Sequence, residues 1–435
     1  MNPPPVGSTS ARPALARWLE RPWFLALWCV LAAFGAYACM YGFRKPFTAG
    51  TYADTQFGLQ LKGWLVTAQV LGYMISKFIG IKVIAEMTPA RRARTILGLV
   101  AVAQAALLLF AFVPAPYNAA CLFLNGLPLG LVFGLVLGFL EGRRMTELFV
   151  AGLCASFIVA DGATKTVGAS LLRSGVPEAW MPFTAGLVFI APLACFVWML
   201  RRIPPPSHLD VAARSERTSM SAQDRLAMIK RHGLGLMLIV FAYLLITVLR
   251  SFRADFAPEI WAGLGLEKQP AVFTYSEMWV ALGVVASSGL LVLVRDNRRA
   301  FLIALGLSAA SLGMAALALM LQRAGTLPPF TFMVLLGLGM YVPYVAVQTT
   351  VFERLVALTR ERGNIGFLIY LADAIGYLGY ATVMLARSAL PRDENFLALF
   401  LNVSSWLVAV AMGAMALAGV LYAWRTRRNS STIRL

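Results

Sequence analysis

Two adjacent cations, Arg44 and Lys45, close a run that is otherwise apolar from Trp23 to Phe43, in the stretch Tyr41-Gly42-Phe43-Arg44-Lys45-Pro46-Phe47. Folding alone asks for no charge there. A cation inside a spanning helix costs roughly 2.5–3.5 kcal/mol on insertion scales, so it either faces a bundle interior and marks a site or lies at the bilayer edge and snorkels outward. A second arginine, Arg250, ends a comparable run from Phe241 to Leu249 in the other half of the chain. Two matching cations point to one shared anion site. A guanidinium stays charged at any accessible pH, and its planar fork matches two oxygens of a phosphate-like group. Lys77, late in another apolar run, is either a further ligand of that anion or an interfacial anchor. Asp161 and Lys165 stand four apart with the acid first, which puts them on one helix face in the favourable order for pairing. Their simplest role is mutual neutralisation. The sharper role makes Asp161 or Asp373 a proton carrier, with Glu277 as another candidate. No histidine shares that task, because His208 and His232 both fall in the central polar stretch. Glu141 and Glu353 end apolar runs beside Arg143, Arg144 and Arg354, where gating ion pairs are expected.

Such groups need a scaffold that crosses a membrane. The chain has 435 residues, 59% of them hydrophobic and 13% charged, with a mean hydropathy of +0.73, far more apolar than a soluble domain. It is a polytopic membrane protein. Its net charge of +18 sits in short loops, where basic residues orient helices, and not on a soluble basic face that would bind nucleic acid. The five cysteines, Cys29, Cys39, Cys121, Cys154 and Cys195, lie in apolar runs without paired spacing. They give no reason to expect a metal, a disulfide or any cofactor.

Runs of about 20 residues, long enough to span, occur near 22–43, 62–84, 95–113, 118–140, 148–171, 180–200, 234–254, 271–294, 300–321, 329–352, 363–386 and 396–423. The expected fold is all-α and integral to the membrane, with twelve helices in two groups of six. Residues 1–21 lack a signal-peptide pattern, so the first run is expected to be retained. Arginines recur in alternate loops, among them Arg91, Arg92, Arg94, Arg201, Arg202, Arg298, Arg299, Arg425 and Arg427, which places both termini in the cytoplasm. The organisation is then a cytoplasmic segment 1–21, a six-helix half 22–200, a linker 201–233, a second half 234–423 and a basic tail 424–435. The linker is too short for its own core and reads as a solvated or headgroup-lying connector. The same interval separates Asp161 from Asp373 and Glu141 from Glu353, and Phe157–Asp161 is similar to Ile369–Asp373. A duplication of six helices would superpose these pairs, as in transporters that bind substrate between parallel repeats.

The Arg-Lys-x-Phe pattern at 44–47, with Tyr41 and Tyr37 one and two turns before it, resembles the organophosphate:phosphate antiporters of the major facilitator superfamily. The resemblance extends to Leu71-Gly72-Tyr73-Met74-Ile75-Ser76-Lys77-Phe78-Ile79-Gly80 and to Tyr243–Leu245, Arg250 and Asp255–Pro258. It implies that Arg44 and Arg250 are paired phosphate ligands and that Tyr37, Tyr41, Lys45 and Lys77 line the same cavity. Three features depart from that family: Pro46, the absence of an Asp-Arg pair in Ile84–Arg92, and the charged pair Asp161 and Lys165. The function expected is secondary transport of a small anionic, phosphorylated metabolite by alternating access, in exchange for inorganic phosphate. Two alternatives stay open, a proton-coupled porter of another organic anion and a transporter-like sensor that binds without carrying. An enzyme is disfavoured, since no metal-ligand cluster, nucleophile with a base or phosphate loop is seen. The expected partners are a small anionic solute and the lipid bilayer. The chain is expected to act as a monomer in the cell (inner) membrane.

Overall fold

The computed structural model describes residues 14–52, 58–140, 143, 146–205, 222–266, 269–359, 365–388 and 396–432, and all regular structure among them is helical. The first half comprises a short helix α1 (Ala14–Leu19) and then α2 (Pro22–Tyr41), α3 (Gly58–Glu86), α4 (Pro89–Phe112), α5 (Ala119–Leu140), α6 (Thr146–Arg173) and α7 (Met181–Arg201). The second comprises α8 (Ala222–Asp255), the short α9 (Ala257–Gly263), α10 (Ala271–Val292), α11 (Asn297–Arg323), α12 (Pro329–Ala346), α13 (Phe352–Thr359), α14 (Ile365–Ser388) and α15 (Phe396–Thr432). A π-helical turn, Val347–Val351, joins α12 to α13, so the two form one span.

These helices supply the twelve expected spans. Eleven of the described helices are long and apolar enough to cross a membrane by length and composition. The twelfth, α3, has 29 residues but carries Lys62, Gln69 and Lys77 along its length. Its polar groups face inward, which is why composition understates it. The boundary expected at 234 is a kink inside a longer helix: α8 begins in the linker and passes Gly233, whose φ of 27° and ψ of −110° break the helical path. Only glycine adopts such angles at little strain. The basic stretch 224–231 is therefore helical.

The packing repeats between halves. In the first, α2 lies against α6 and α7, α3 against α5, and α4 against α5 and α7; in the second, α8 lies against α14 and α15, α10 against α12, and α11 against α12 and α15. Each pairing in one half has its counterpart six spans later, which is the parallel duplication read from the acids. The halves meet along two seams, α3 with α14 and α6 with α10. Gly162 makes the second seam possible: a Cβ there would lie 2.2 Å from the Phe273 carbonyl oxygen. Small residues let spanning helices approach in this way.

Candidate functional site

Arg44 stands just beyond the end of α2, held by its backbone. Gly42 caps the helix, and Pro46 opens a 3-10 turn, Pro46–Ala49. The carbonyls left unpaired at a helix end need other donors. Asn125 Nδ2 donates to the Phe43 carbonyl at 3.0 Å, and Gln69 Nε2 donates to the Arg44 carbonyl at 2.9 Å and to Asn125 Oδ1 at 2.8 Å. Buried amides from α3 and α5 thus fix the level of Arg44 in the bundle.

Arg250 comes to the same place from α8. Tyr377 of α14 stands between the two arginines: Arg250 Nη2 donates to its hydroxyl at 3.3 Å, and the Arg44 Cζ lies 6.0 Å from its ring centroid. Tyr73 covers Arg44 at 3.7 Å, with Tyr41 at 5.7 Å. Tyr344 covers Arg250 at 4.5 Å. The Tyr37 and Tyr73 hydroxyls are 3.3 Å apart. Both arginines are buried, at 3% and 6% exposure.

The neighbouring cations are all neutralised. Among the described residues, Lys45 pairs with Asp255, Lys165 with Asp161, Lys62 with Glu259, Arg253 with Glu277 at 2.6 Å, and Lys77 with Asp373 at 3.3 Å. Five cations have five separate carboxylates. Among the described residues neither Arg44 nor Arg250 has one, and the Nε of each lacks a hydrogen-bond partner there. Three rings lie around each guanidinium, and cation–π contacts offset part of the several kcal/mol that a buried ion loses in leaving water, but they supply no net negative charge. The interface therefore holds two positive charges in search of a counter-charge.

Three of the ion pairs cross between halves, and in each the lysine belongs to the first half and the carboxylate to the second. Lys45–Asp255 and Lys62–Glu259 lie toward the α2–α3 and α8–α9 turns. Lys62 Nζ also donates to the Thr48 carbonyl at 2.8 Å, and the Tyr380 hydroxyl donates to Asp255 at 2.8 Å. Lys77–Asp373 lies on the opposite side of the arginines. There the Asp373 Oδ1 accepts from Tyr243 at 2.5 Å, Gln348 at 3.2 Å and Tyr344 at 3.4 Å. Among the described residues, two small cavities lie between these layers, each of about 10 Å³, close to the room one water needs. One is lined by Tyr37, Tyr41, Lys77, Arg250, Asp373 and Tyr377 among others, the second by Arg44, Lys45, Arg250 and Asp255. Among the described residues, these two cavities are too small for a phosphate-sized group, which enters them only when their walls part.

The structure thus gathers Tyr37, Tyr41, Arg44, Lys45, Lys77, Arg250 and Asp373 around one pair of cavities. Asp161 and Lys165 pair on α6 and stand beside them, with Asp161 Oδ1 3.9 Å from Lys45 Nζ. Glu277 is drawn away, locked to Arg253, whose Nη2 also donates to the Met333 carbonyl at 3.0 Å. Glu353 is half-buried on α13, and its neighbour Arg354 donates to Asn297 Oδ1 at 2.7 Å; Glu141 lies outside the described residues. Sequence reasoning missed Tyr73, Asp255, Gln348 and Tyr377 as site residues. A helical step would have found two of them, because Tyr73 precedes Lys77 by four and Tyr377 follows Asp373 by four.

The same architecture occurs in solved transporters. A D-xylose-proton symporter superposes with a TM-score of 0.57 at 15% identity, covering 92% of this chain and 96% of its own. The nucleoside transporter NupG gives 0.58 at 15%, covering 90% and 98%. A bacterial homologue of the iron transporter ferroportin in an outward-facing state gives 0.56 at 15%, covering 93% and 99%. At such identity the likeness establishes the fold, that of the major facilitator type, and leaves the organophosphate:phosphate antiporter branch to be argued from the site. No curated protein matches the chain. A family model described as a family of unknown function (DUF5690) matches residues 46–426, and the chain belongs to that family.

Proposed function

We propose that this chain is a secondary transporter of the cell (inner) membrane that carries a small phosphate-bearing anion by alternating access, in exchange for inorganic phosphate. One observation carries the proposal: Arg44 and Arg250, one from each half, meet at the interface, and among the described residues neither has a carboxylate partner. A dianion matches that surplus, and two guanidinium forks match its oxygens. Because the ligands come from both halves, a bound anion ties the halves together, and the empty site resists reorientation with its charges unmet. Lys45–Asp255 and Lys62–Glu259 then serve as the seal on one side and Lys77–Asp373 as the seal on the other. Opening either side breaks the pairs of that side alone. The relatives in fold, named for a sugar, nucleosides and iron, support solute transport over catalysis without indicating this cargo.

A phosphate monoester loses its second proton near about pH 6. Binding that selects the dianion is expected to strengthen about tenfold per pH unit below that point and to level off above it. Calorimetry with a phosphate monoester and with sulfate, which does not titrate in this range, checks it. A pH-independent affinity for both anions would count against dianion selection. The alternative of a proton-coupled porter rests on the buried Asp161, whose Oδ1 has no hydrogen-bond partner. In that case a pH gradient alone drives uptake, and Asp161→Asn abolishes the drive.

A further inference from the structure

Far from the arginines, α11 and α15 enclose an apolar crevice of about 330 Å³ on the outside of the bundle. Its walls include Leu302, Gly306 and Ala309 from α11 and Ala416, Gly419 and Val420 from α15. Two of these are glycines in helix interiors, where glycine costs about 0.5–1 kcal/mol relative to alanine. Close helix packing does not explain them. A Cβ at Gly306 would meet nothing within 4 Å, and one at Gly419 would make only an ordinary contact with Leu305 at 3.9 Å. By contrast, a Cβ at Gly72 or Gly126 would run into a facing backbone at 2.2 Å. Gly306 and Gly419 keep space open toward the membrane.

The crevice also has a polar end that is predominantly basic, with Asp296 the one acid among its arginines. It runs about 10 Å along α11, from Leu302 to Ala309 at 1.5 Å per residue, and begins one turn beyond Arg299. Arg295, Arg298 and Arg299 precede it at the start of α11, and Arg425, Arg427 and Arg428 follow it where α15 continues. Arg295 and Arg299 are exposed. Trp424, also exposed, sits at the level where aromatic side chains mark the headgroup boundary. These helix ends lie on the side of both termini, the cytoplasmic leaflet by the arginine bias.

We propose that this crevice is a lipid site, holding one acyl chain of an anionic phospholipid with its phosphate against the arginines at the mouth. Basic pockets between spanning helices on the cytoplasmic side bind such headgroups. A second copy of the chain is the other candidate occupant, and charge argues against it. An isologous contact through this face would bring two arginine clusters together, whereas an anionic lipid neutralises them. The site stands apart from the transport pathway and does not depend on the cargo.

The test uses the full chain purified in detergent and exposed to equal amounts of phosphatidylglycerol and phosphatidylcholine, with retained lipid counted by native mass spectrometry. Wild type is expected to retain phosphatidylglycerol over phosphatidylcholine by about tenfold, from roughly one favourable interaction per nearby arginine. Gly306→Leu with Gly419→Leu fills open space and is expected to remove the retained lipid while the protein stays monodisperse. Should that pair fail to fold, Val420→Trp at the exposed rim narrows the same crevice. Arg295→Gln with Arg299→Gln is expected to keep a bound lipid and lose the preference. Equal retention of both lipids, retention unchanged by filling the crevice, or oleate bound as well as phosphatidylglycerol would overturn the proposal. So would a dimer that the leucine variants abolish.

Discussion

Arg44→Lys and Arg250→Lys are each expected to lower phosphate exchange about a hundredfold, nearly as far as the corresponding alanines. The ammonium keeps the charge but loses the fork, and a charge-assisted two-pronged contact is worth roughly 3 kcal/mol. A second readout separates this role from a structural one. Both guanidiniums are buried with no carboxylate partner among the described residues, so replacing either by Gln or Met removes an uncompensated charge. Ligand-free protein should then melt at the same or a higher temperature than wild type, as expected when a site is kept for function at the expense of stability. An interfacial or packing arginine would give the reverse, transport preserved and stability lost.

Asp373→Asn alone is expected to be severely destabilising, by about 3–5 kcal/mol, because it leaves the buried Lys77 ammonium without its partner. Neutralising both, Lys77→Gln with Asp373→Asn, should recover most of that loss while leaving the two halves without their inner tie. Native Cys154 reports the consequence. It is fully buried on α6 and donates its thiol to Gln348 of the π-helical turn in the other half at 3.5 Å. In a chain whose other cysteines are replaced, Cys154 should alkylate slowly in wild type and about tenfold faster in the double variant, on the reasoning that local opening governs access to buried groups. Slow alkylation together with wild-type exchange in the double variant would show that Lys77–Asp373 is not a seal.

Hydrophobic runs and arginine-bearing loops made the twelve spans legible, and the paired acids made the duplication legible, because both signals are local and periodic. The surplus charge was only half legible. Arg44 and Arg250 stood out as cations in apolar runs, yet so did Lys45, Lys77 and Lys165. Which cations are neutralised depends on pairs such as Lys45 with Asp255, 210 residues apart, and Lys77 with Asp373, 296 apart. No helical period links residues so distant. Tyr377 shares a helix face with Asp373, four residues before it, but its place between the arginines follows from the α3–α14 seam and not from its own helix. Gly42, Asn125 and Gln69 carry no charge, so their task of fixing the Arg44 backbone could be seen only once the helices had been placed.

The most direct measurement is counterflow of labelled inorganic phosphate into liposomes containing the purified protein, with and without phosphate inside. Two arginines without a carboxylate partner among the described residues predict rapid uptake into phosphate-loaded vesicles, little into empty ones, and loss of the loaded uptake in Arg44→Lys and Arg250→Lys. Uptake into empty vesicles at the loaded rate, or loaded uptake that survives replacement of both arginines by alanine, would contradict a dianion site that must be filled before the halves can rock.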